Sequence, residues 1–207
     1  MYAIVIDGAI TQIGSSVQRM FPNTSFSGSP DSAFKTANGI MDVVNAEQRD
    51  HEYYSVSQGD ITLVAGVPTQ GFTNTAMALE DVSEVDDVSG DPIYVQEWDA
   101  DFDNGAGELA GKMVDTSVQI VTRGLKYAKK DQIKGQANSA LTSTDWMVIR
   151  KAERAVDIPA ATVTYRAAVM TEYERLKTAI TAAADVDALQ AVMQAQNWPE
   201  TLNNARP

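Results

Sequence analysis

The chain has 207 residues, with 28 acidic against 16 basic side chains and a formal net charge of −12. At this length one large domain or two small ones can bury roughly 70% of the surface that the unfolded chain exposes, so a core is possible without covalent staples. There is no cysteine, which excludes disulfides, iron–sulfur clusters and thiolate zinc sites and leaves the compartment open.

The charge is unevenly placed. From Met1 to Gly111 there are eighteen acids against three bases, a net of −15, and from Lys112 onward ten acids against thirteen bases, a net of +3. The acidic first part repels phosphate backbones and the small basic excess beyond it attracts them weakly, so no nucleic-acid partner is expected. The opening MYAIVIDGAI has no basic n-region and no long apolar run, so it does not read as a secretion signal. No stretch approaches the ~18 apolar residues of a membrane span, and membrane insertion is not expected.

In chain order, the β-rich runs YAIVI and AITQI flank Asp7-Gly8, the signature of a type I′ hairpin whose two turn residues need positive φ. SPDSAFKTANG reads as a short helix, with Ser29 as cap, Pro30 at the first helical position and Asn38-Gly39 at the end. IMDVV follows as a strand. HEYYSVS-QGD-ITLVAGV reads as a second hairpin, with Gly59 supplying positive φ in a three-residue loop. EDVSEVDDVSGD, from Glu80 to Asp91, has six acids and no base, and reads as a solvated linker or exposed loop rather than a metal-binding face. PIYVQEW is strand-like.

Beyond it, Val114, Val118, Val121, Leu125 and Ala128 recur at spacings of four, three, four and three, a helical face, although the β-branched VQIVT also suits a strand. Lys129 to Ala140 reads as helix. Thr144 or Asp145 caps the next one, which reaches about Val156, and Pro159 starts another. In that helix Tyr165, Val169, Tyr173, Leu176, Ile180 and Ala183 make a stripe. It fits either an antiparallel pair within the chain or a coiled-coil seam between chains. Asp185 caps a last short helix with Leu189, Val192 and Met193. The elements predict an α+β chain: a small β-rich domain over 1–79, an acidic linker and strand segment over 80–106, and an α-helical region over 107–207, as a helical hairpin or short coiled coil.

Motifs that carry chemistry are near misses. DADFDNGAGE spaces Asp99, Asp101 and Asp103 like a calcium loop, but counting from Asp99 the sixth residue is Asn104, glycine comes seventh at Gly105, and the twelfth is Ala110 rather than glutamate. GAGELAGK is one residue short of a phosphate loop, with Met113 where a hydroxyl belongs. His51 is the only histidine, so no His-based metal cluster forms within one chain, and no strained serine turn accompanies it. Paired acids are too plentiful to single out a hydrolytic pair. Accordingly no catalytic, cofactor-binding or metal-binding residue is assigned, and the expected activity is non-enzymatic.

The run Trp146, Met147, Val148 and Ile149 stands out instead. Helical spacing puts Trp146 and Ile149 on one face, to pack on the Tyr165–Ile180 helix, and leaves Met147 and Val148 for another helix, such as Lys129–Leu141, or another chain. The candidate packing or interaction residues are therefore Trp146, Met147, Val148, Ile149, Tyr165, Val169, Tyr173, Leu176 and Ile180.

Two blocks resemble proteins of tailed bacteriophages. Thr144-Asp145-Trp146, Val148-Ile149-Arg150, Pro159 and Tyr165-Arg166-Ala168-Val169 are similar to a terminal module of tail-fibre and tail-fibre-assembly proteins. Phe21, Pro22, Asn23, Ser25, Phe26, Asn38 and Gly39 resemble the opening domain of fibre or baseplate-associated proteins from marine and cyanophage-like phages. The resemblance covers about half the chain and carries no catalytic residues. It implies a structural tail subunit made in the host cytoplasm and retained in the virion. Its partners would be other phage tail proteins and copies of itself, as a trimer by analogy with fibres, without a cofactor. The alternative is a fibre-assembly chaperone that leaves before the virion is complete.

Overall fold

Asp7 and Gly8 both take positive φ, 50° and 73°, and turn β1 (Tyr2–Ile6) back on β2 (Ala9–Gly14) as an antiparallel hairpin. The expected turn forms. These values come from a computed structural model that describes residues 1–101 and 111–201. The chain has an α+β fold and divides into two compact units, Met1–Ala76 and the part from Met77 onward.

In the first unit β1 lies between β2 and β3 (Ile40–Asp42). Two short helices, α1 (Val17–Met20) and α2 (Ser32–Ala37), sit between β2 and β3 in the chain. Ile4, Val17, Met20 and Ile40 form a buried cluster, edged by Tyr2, Phe21, Phe26 and Phe34. Phe34 meets the other two phenylalanines edge-on, at 5.3 Å from Phe21 and 5.0 Å from Phe26, the arrangement ring quadrupoles favour. The helical cap differs from the expected one. Asp31, not Ser29, accepts from the Phe34 amide at 2.7 Å, because the chain is still extended at Asp31. Gly39 ends the turn at φ 62°, and a Cβ there would meet the Val5 carbonyl at 2.3 Å.

The second expected hairpin turns elsewhere. Gly59 lies inside an eleven-residue strand, β5 (Tyr54–Val64), and the reversal falls at Ala65-Gly66, with φ of 50° and 81°. The returning strand β6 (Val67–Ala76) pairs antiparallel with β5 and parallel with β4 (Val44–Asn45). Gln58-Gly59-Asp60 is a bulge where the register shifts, and the buried Gln70 side chain donates to the Gly59 carbonyl at 2.5 Å. An unpaired peptide group is thereby satisfied, and the glycine serves a bulge instead of a loop.

In the second unit the acidic stretch 80–91 is mostly exposed, as a solvated linker or loop would be. It nevertheless carries a two-residue strand and a bridge from Val85 to Pro92, and the strand expected in PIYVQEW forms. β7 (Val82–Ser83) pairs with a later strand, β10 (Val121–Thr122), and β8 (Tyr94–Asp99) pairs with β9 (Lys112–Gln119), all antiparallel. The helical reading of Val114, Val118 and Val121 is thus corrected, and the helical part begins after Thr122. The β-branched side chains suited both periods, and pairing with β8 decided between them. Of the near-motifs, the calcium-like run after Asp101 and most of GAGELAGK fall in 102–110, outside the described residues.

Helix α3 spans Leu125–Arg154 without a break. The expected restart at Thr144 or Asp145 does not occur. The Thr142 and Thr144 hydroxyls donate back to the Asn138 and Leu141 carbonyls, both at 2.8 Å, which keeps them in the helix instead of capping a new one. The chain turns over Ala155, in the left-handed region at φ 54°, to Pro159, which caps α4 (Ala160–Ala182). Asp185 caps α5 (Val186–Gln194) as expected, accepting from the Ala188 amide at 2.7 Å.

The start of α3 is held from a distance. Gly124 offers no side chain to cap it; the Leu125 and Lys126 amides donate to the carbonyls of Ala78 and Leu79 at 2.9 and 3.0 Å. The Asp81 carboxylate accepts from the Gly124 amide at 2.9 Å and pairs with Arg123. These bonds hold the Asp81 carboxyl below its ordinary range, the Gly124 amide first and the Arg123 guanidinium next.

Two substitutions test these joints. Ala65→Asn, which tolerates the left-handed region, should raise stability by about 0.5–1 kcal/mol in urea unfolding. Gly124→Ala places a Cβ 2.3 Å from the Glu80 carbonyl and should lower it by about 2–3 kcal/mol with the same readout.

Candidate interaction surface on the helical hairpin

The inward residues of α3 are Lys126, Lys129, Ile133, Ala137, Thr144 and Met147. With the half-buried Ala140 they keep one phase along the helix, at steps of three and four, so the helix presents a single stripe. On α4 the buried residues are Thr162, Tyr165, Val169, Glu172, Leu176 and Ile180. The helices run antiparallel: Tyr165 on α4 donates to the Ala140 carbonyl at 3.1 Å, while the Lys126 ammonium, near the start of α3, donates to the Thr181 carbonyl at 3.0 Å. Val169, Leu176 and Ile180 are each 0% exposed, and burying such a side chain contributes about 1.5–3 kcal/mol.

This geometry sorts the nine candidate residues. Tyr165, Val169, Leu176 and Ile180 are core of the hairpin, so the stripe is an intrachain seam. Met147 is also buried, at 6%, whereas Ile149 is 56% and Val148 40% exposed. The expected face is therefore corrected: the phase of the uninterrupted α3 turns Met147 inward and Ile149 outward. Nor can Met147 or Val148 pack on Lys129–Leu141, which belongs to the same helix. Trp146 is half-buried, with the Arg150 guanidinium 4.8 Å from its ring centroid. Tyr173 is half-buried beside the Ala137–Tyr165–Val169 cluster, as is Trp198.

Arg166 joins the two halves of the C-terminal block. Its guanidinium donates to the Leu141 carbonyl at 3.2 Å, the Thr144 hydroxyl at 2.7 Å and the Asp145 carboxylate at 2.8 Å. A second cation fastens the end of the chain. Arg175 donates twice to Glu172, each at 2.7 Å, and once to the Ala195 carbonyl at 2.9 Å, while the Asn197 amide donates to Glu172 at 2.7 Å. Glu172 is 9% exposed at its side chain. The Arg175 fork, followed by the Asn197 amide, holds its carboxyl below the ordinary range against the opposing effect of burial.

One open feature was not foreseen in the sequence. A cleft of about 250 Å³ between α3 and α4 is lined by Tyr127, Lys130, Asp131, Lys134, Tyr173 and Lys177. The signal was present as Tyr127, Lys130 and Lys134 at steps of three and four, with Tyr173 and Lys177 four apart. Their facing across two helices is a tertiary property.

Elsewhere, the hollow beside β8 and β9 is lined in part by Asp91, Tyr94, Gln96, Asp115 and Ile120. His51 is exposed in the turn before β5. Among the described residues no group of three His, Asp or Glu side chains is placed to hold a metal. No described helix is long and apolar enough to cross a membrane. No protein-family model, curated protein or solved structure matches the chain.

The Glu172 site carries a pH signature. Its folded carboxyl titrates below its unfolded value, so its stabilisation is present above the unfolded value and disappears as pH falls through the folded one. Glu172→Gln should cost about 1–2 kcal/mol at neutral pH, and its melting temperature should converge with that of the parent chain in acid below the carboxylate range.

Proposed function

We propose that the chain is a structural subunit of a bacteriophage tail, a fibre or baseplate-associated component that acts through protein–protein assembly and not by catalysis. The observation that carries the reading is the Arg166 junction. The two separated halves of the phage-like block, Thr144-Asp145 and Tyr165-Arg166, bond to one another and to the same turn of α3. A motif whose polar residues are consumed in fastening a helical hairpin is a structural motif. The first phage-like block supports the same reading, since Phe21 and Phe26 both edge onto Phe34 at the rim of a small core and Gly39 closes the adjoining turn.

In this reading the β-rich unit docks on the tail and the helical end holds a neighbour. Val148, Ile149, Val163 and Met170, all 40% exposed or more, are apolar positions on the outer faces of α3 and α4 that such a neighbour would cover. The same exposed positions favour a second reading, a chaperone that covers unfinished fibre and departs.

Mass spectrometry of gradient-purified virions separates the two. A tail subunit should be recovered from the particles in several copies. Absence from particles, together with fibre solubility that depends on co-expression of this chain, would replace the first reading by the second.

A further inference from the structure

The cleft between α3 and α4 is lined by Tyr127, Tyr173, Lys130, Lys134 and Lys177, with Asp131 as the one acid of its lining. The Arg123 guanidinium lies 4.5 Å from the Tyr127 ring centroid and the Lys177 ammonium 5.7 Å from that of Tyr173, so the cleft is predominantly basic. Lys177 is partly answered by Glu174 at 3.3 Å; Lys130, whose charge also reaches the Asp81 carboxylate, and Lys134 add further positive charge. An occupant suited to this cleft has a small apolar knob among carboxylates.

The same chain presents that shape. Between β7 and β8, Asp86, Asp87 and Asp91 surround Val88, which is 96% exposed. The turn is closed by its own hydrogen bonds. The Asp86 carboxylate accepts from the Val88 and Ser89 amides at 3.0 and 2.8 Å, the Gly90 amide donates to the Asp86 carbonyl at 2.8 Å, and Gly90 takes φ 76°. A preformed turn loses little freedom on docking. Its exposure shows that Val88 does not fill the cleft of its own chain.

We infer that the Val88 turn of one copy docks in the Tyr127–Tyr173 cleft of a second copy, with Asp87 and Asp91 against Lys130 and Lys134. This deepens the assembly reading above and rests on it. The two surfaces are different patches of one chain, so the contact is heterologous: each copy has a free cleft and a free turn, and the association extends as a ring or a filament instead of stopping at a dimer. Opposite charges on the two rims attract the partners, and salt weakens that attraction.

Three purified proteins test the contact by analytical ultracentrifugation, with circular dichroism melts to show that each is folded. The parent chain should sediment as species that grow beyond dimer with concentration and shrink with added sodium chloride. A cleft variant, Lys130→Glu with Lys134→Glu, and a turn variant, Asp87→Lys with Val88→Lys, should each show association at least about tenfold weaker. Mixed in equal amounts, the two variants restore one intact cleft facing one intact turn, and they should give dimers and nothing larger. A mixture that stays monomeric while the parent chain associates overturns the contact, as do variants that associate like the parent. A parent chain that remains monomeric at every soluble concentration overturns it too, while the tail-subunit reading is decided separately by the composition of the virions.

Discussion

The backbone amides at the start of α3 have no partners within their own helix, and the second unit is arranged around supplying them. A helix end leaves several donors without intrahelical acceptors, and Gly124 brings no side chain to help. The chain answers with the carbonyls of Ala78 and Leu79 and the carboxylate of Asp81, more than forty residues away in sequence. Glu80 and Asp81 also set negative charge at the positive end of a thirty-residue helix dipole. Once residues 78–81 are pinned there, β7 falls beside β10, and the Lys126 ammonium is placed between Glu80 and the Thr181 carbonyl of α4. One capping requirement thereby connects the sheet, α3 and the far end of α4.

From that fixed start the phase of α3 determines everything on its surface. The inward stripe is consumed by α4, and the remaining faces carry Tyr127, Lys130 and Lys134 near one end and Val148 and Ile149 near the other. The polar groups of the hairpin are similarly committed. Arg166 spends its donors on the α3 turn at Leu141–Asp145, and Arg175 with Glu172 fastens the segment that ends in Trp198. Two outward apolar regions and the cleft lined by tyrosines and lysines are left exposed on the hairpin.

Local chemistry was readable where it was self-sufficient. Asp7-Gly8 and Asp185 each act through neighbours within a few residues, and they do what their residue types imply. The α4 stripe was legible because helical period and burial coincide there. Reading failed where two periods overlapped or where a distant partner arbitrated. Val114, Val118 and Val121 satisfy both a helical spacing and a β-branched strand, and only β8 selected the strand. Thr144 reads as a cap residue, but inside a packed helix its hydroxyl bonds to the preceding turn. Gly59 fits a loop or a bulge equally well, and the choice depended on Gln70 of the opposite strand. The cleft was hidden for the same reason, since its lysines and tyrosines come from two helices whose register is set by packing.

By itself the sequence determined the α+β class, the charge division, the first hairpin, the N-cap of α5 and the apolar face of α4, because each follows from short-range stereochemistry or from periodicity within one element. The tertiary structure alone decided that α3 is unbroken, that Ala78, Leu79 and Asp81 cap it while Val82–Ser83 pairs with β10, and that the Trp146 run splits between core and surface. Each of those outcomes depends on a hydrogen bond or an apolar contact to residues far along the chain. The phase of a helix follows from its true beginning, and for α3 that beginning is held by residues 78–81.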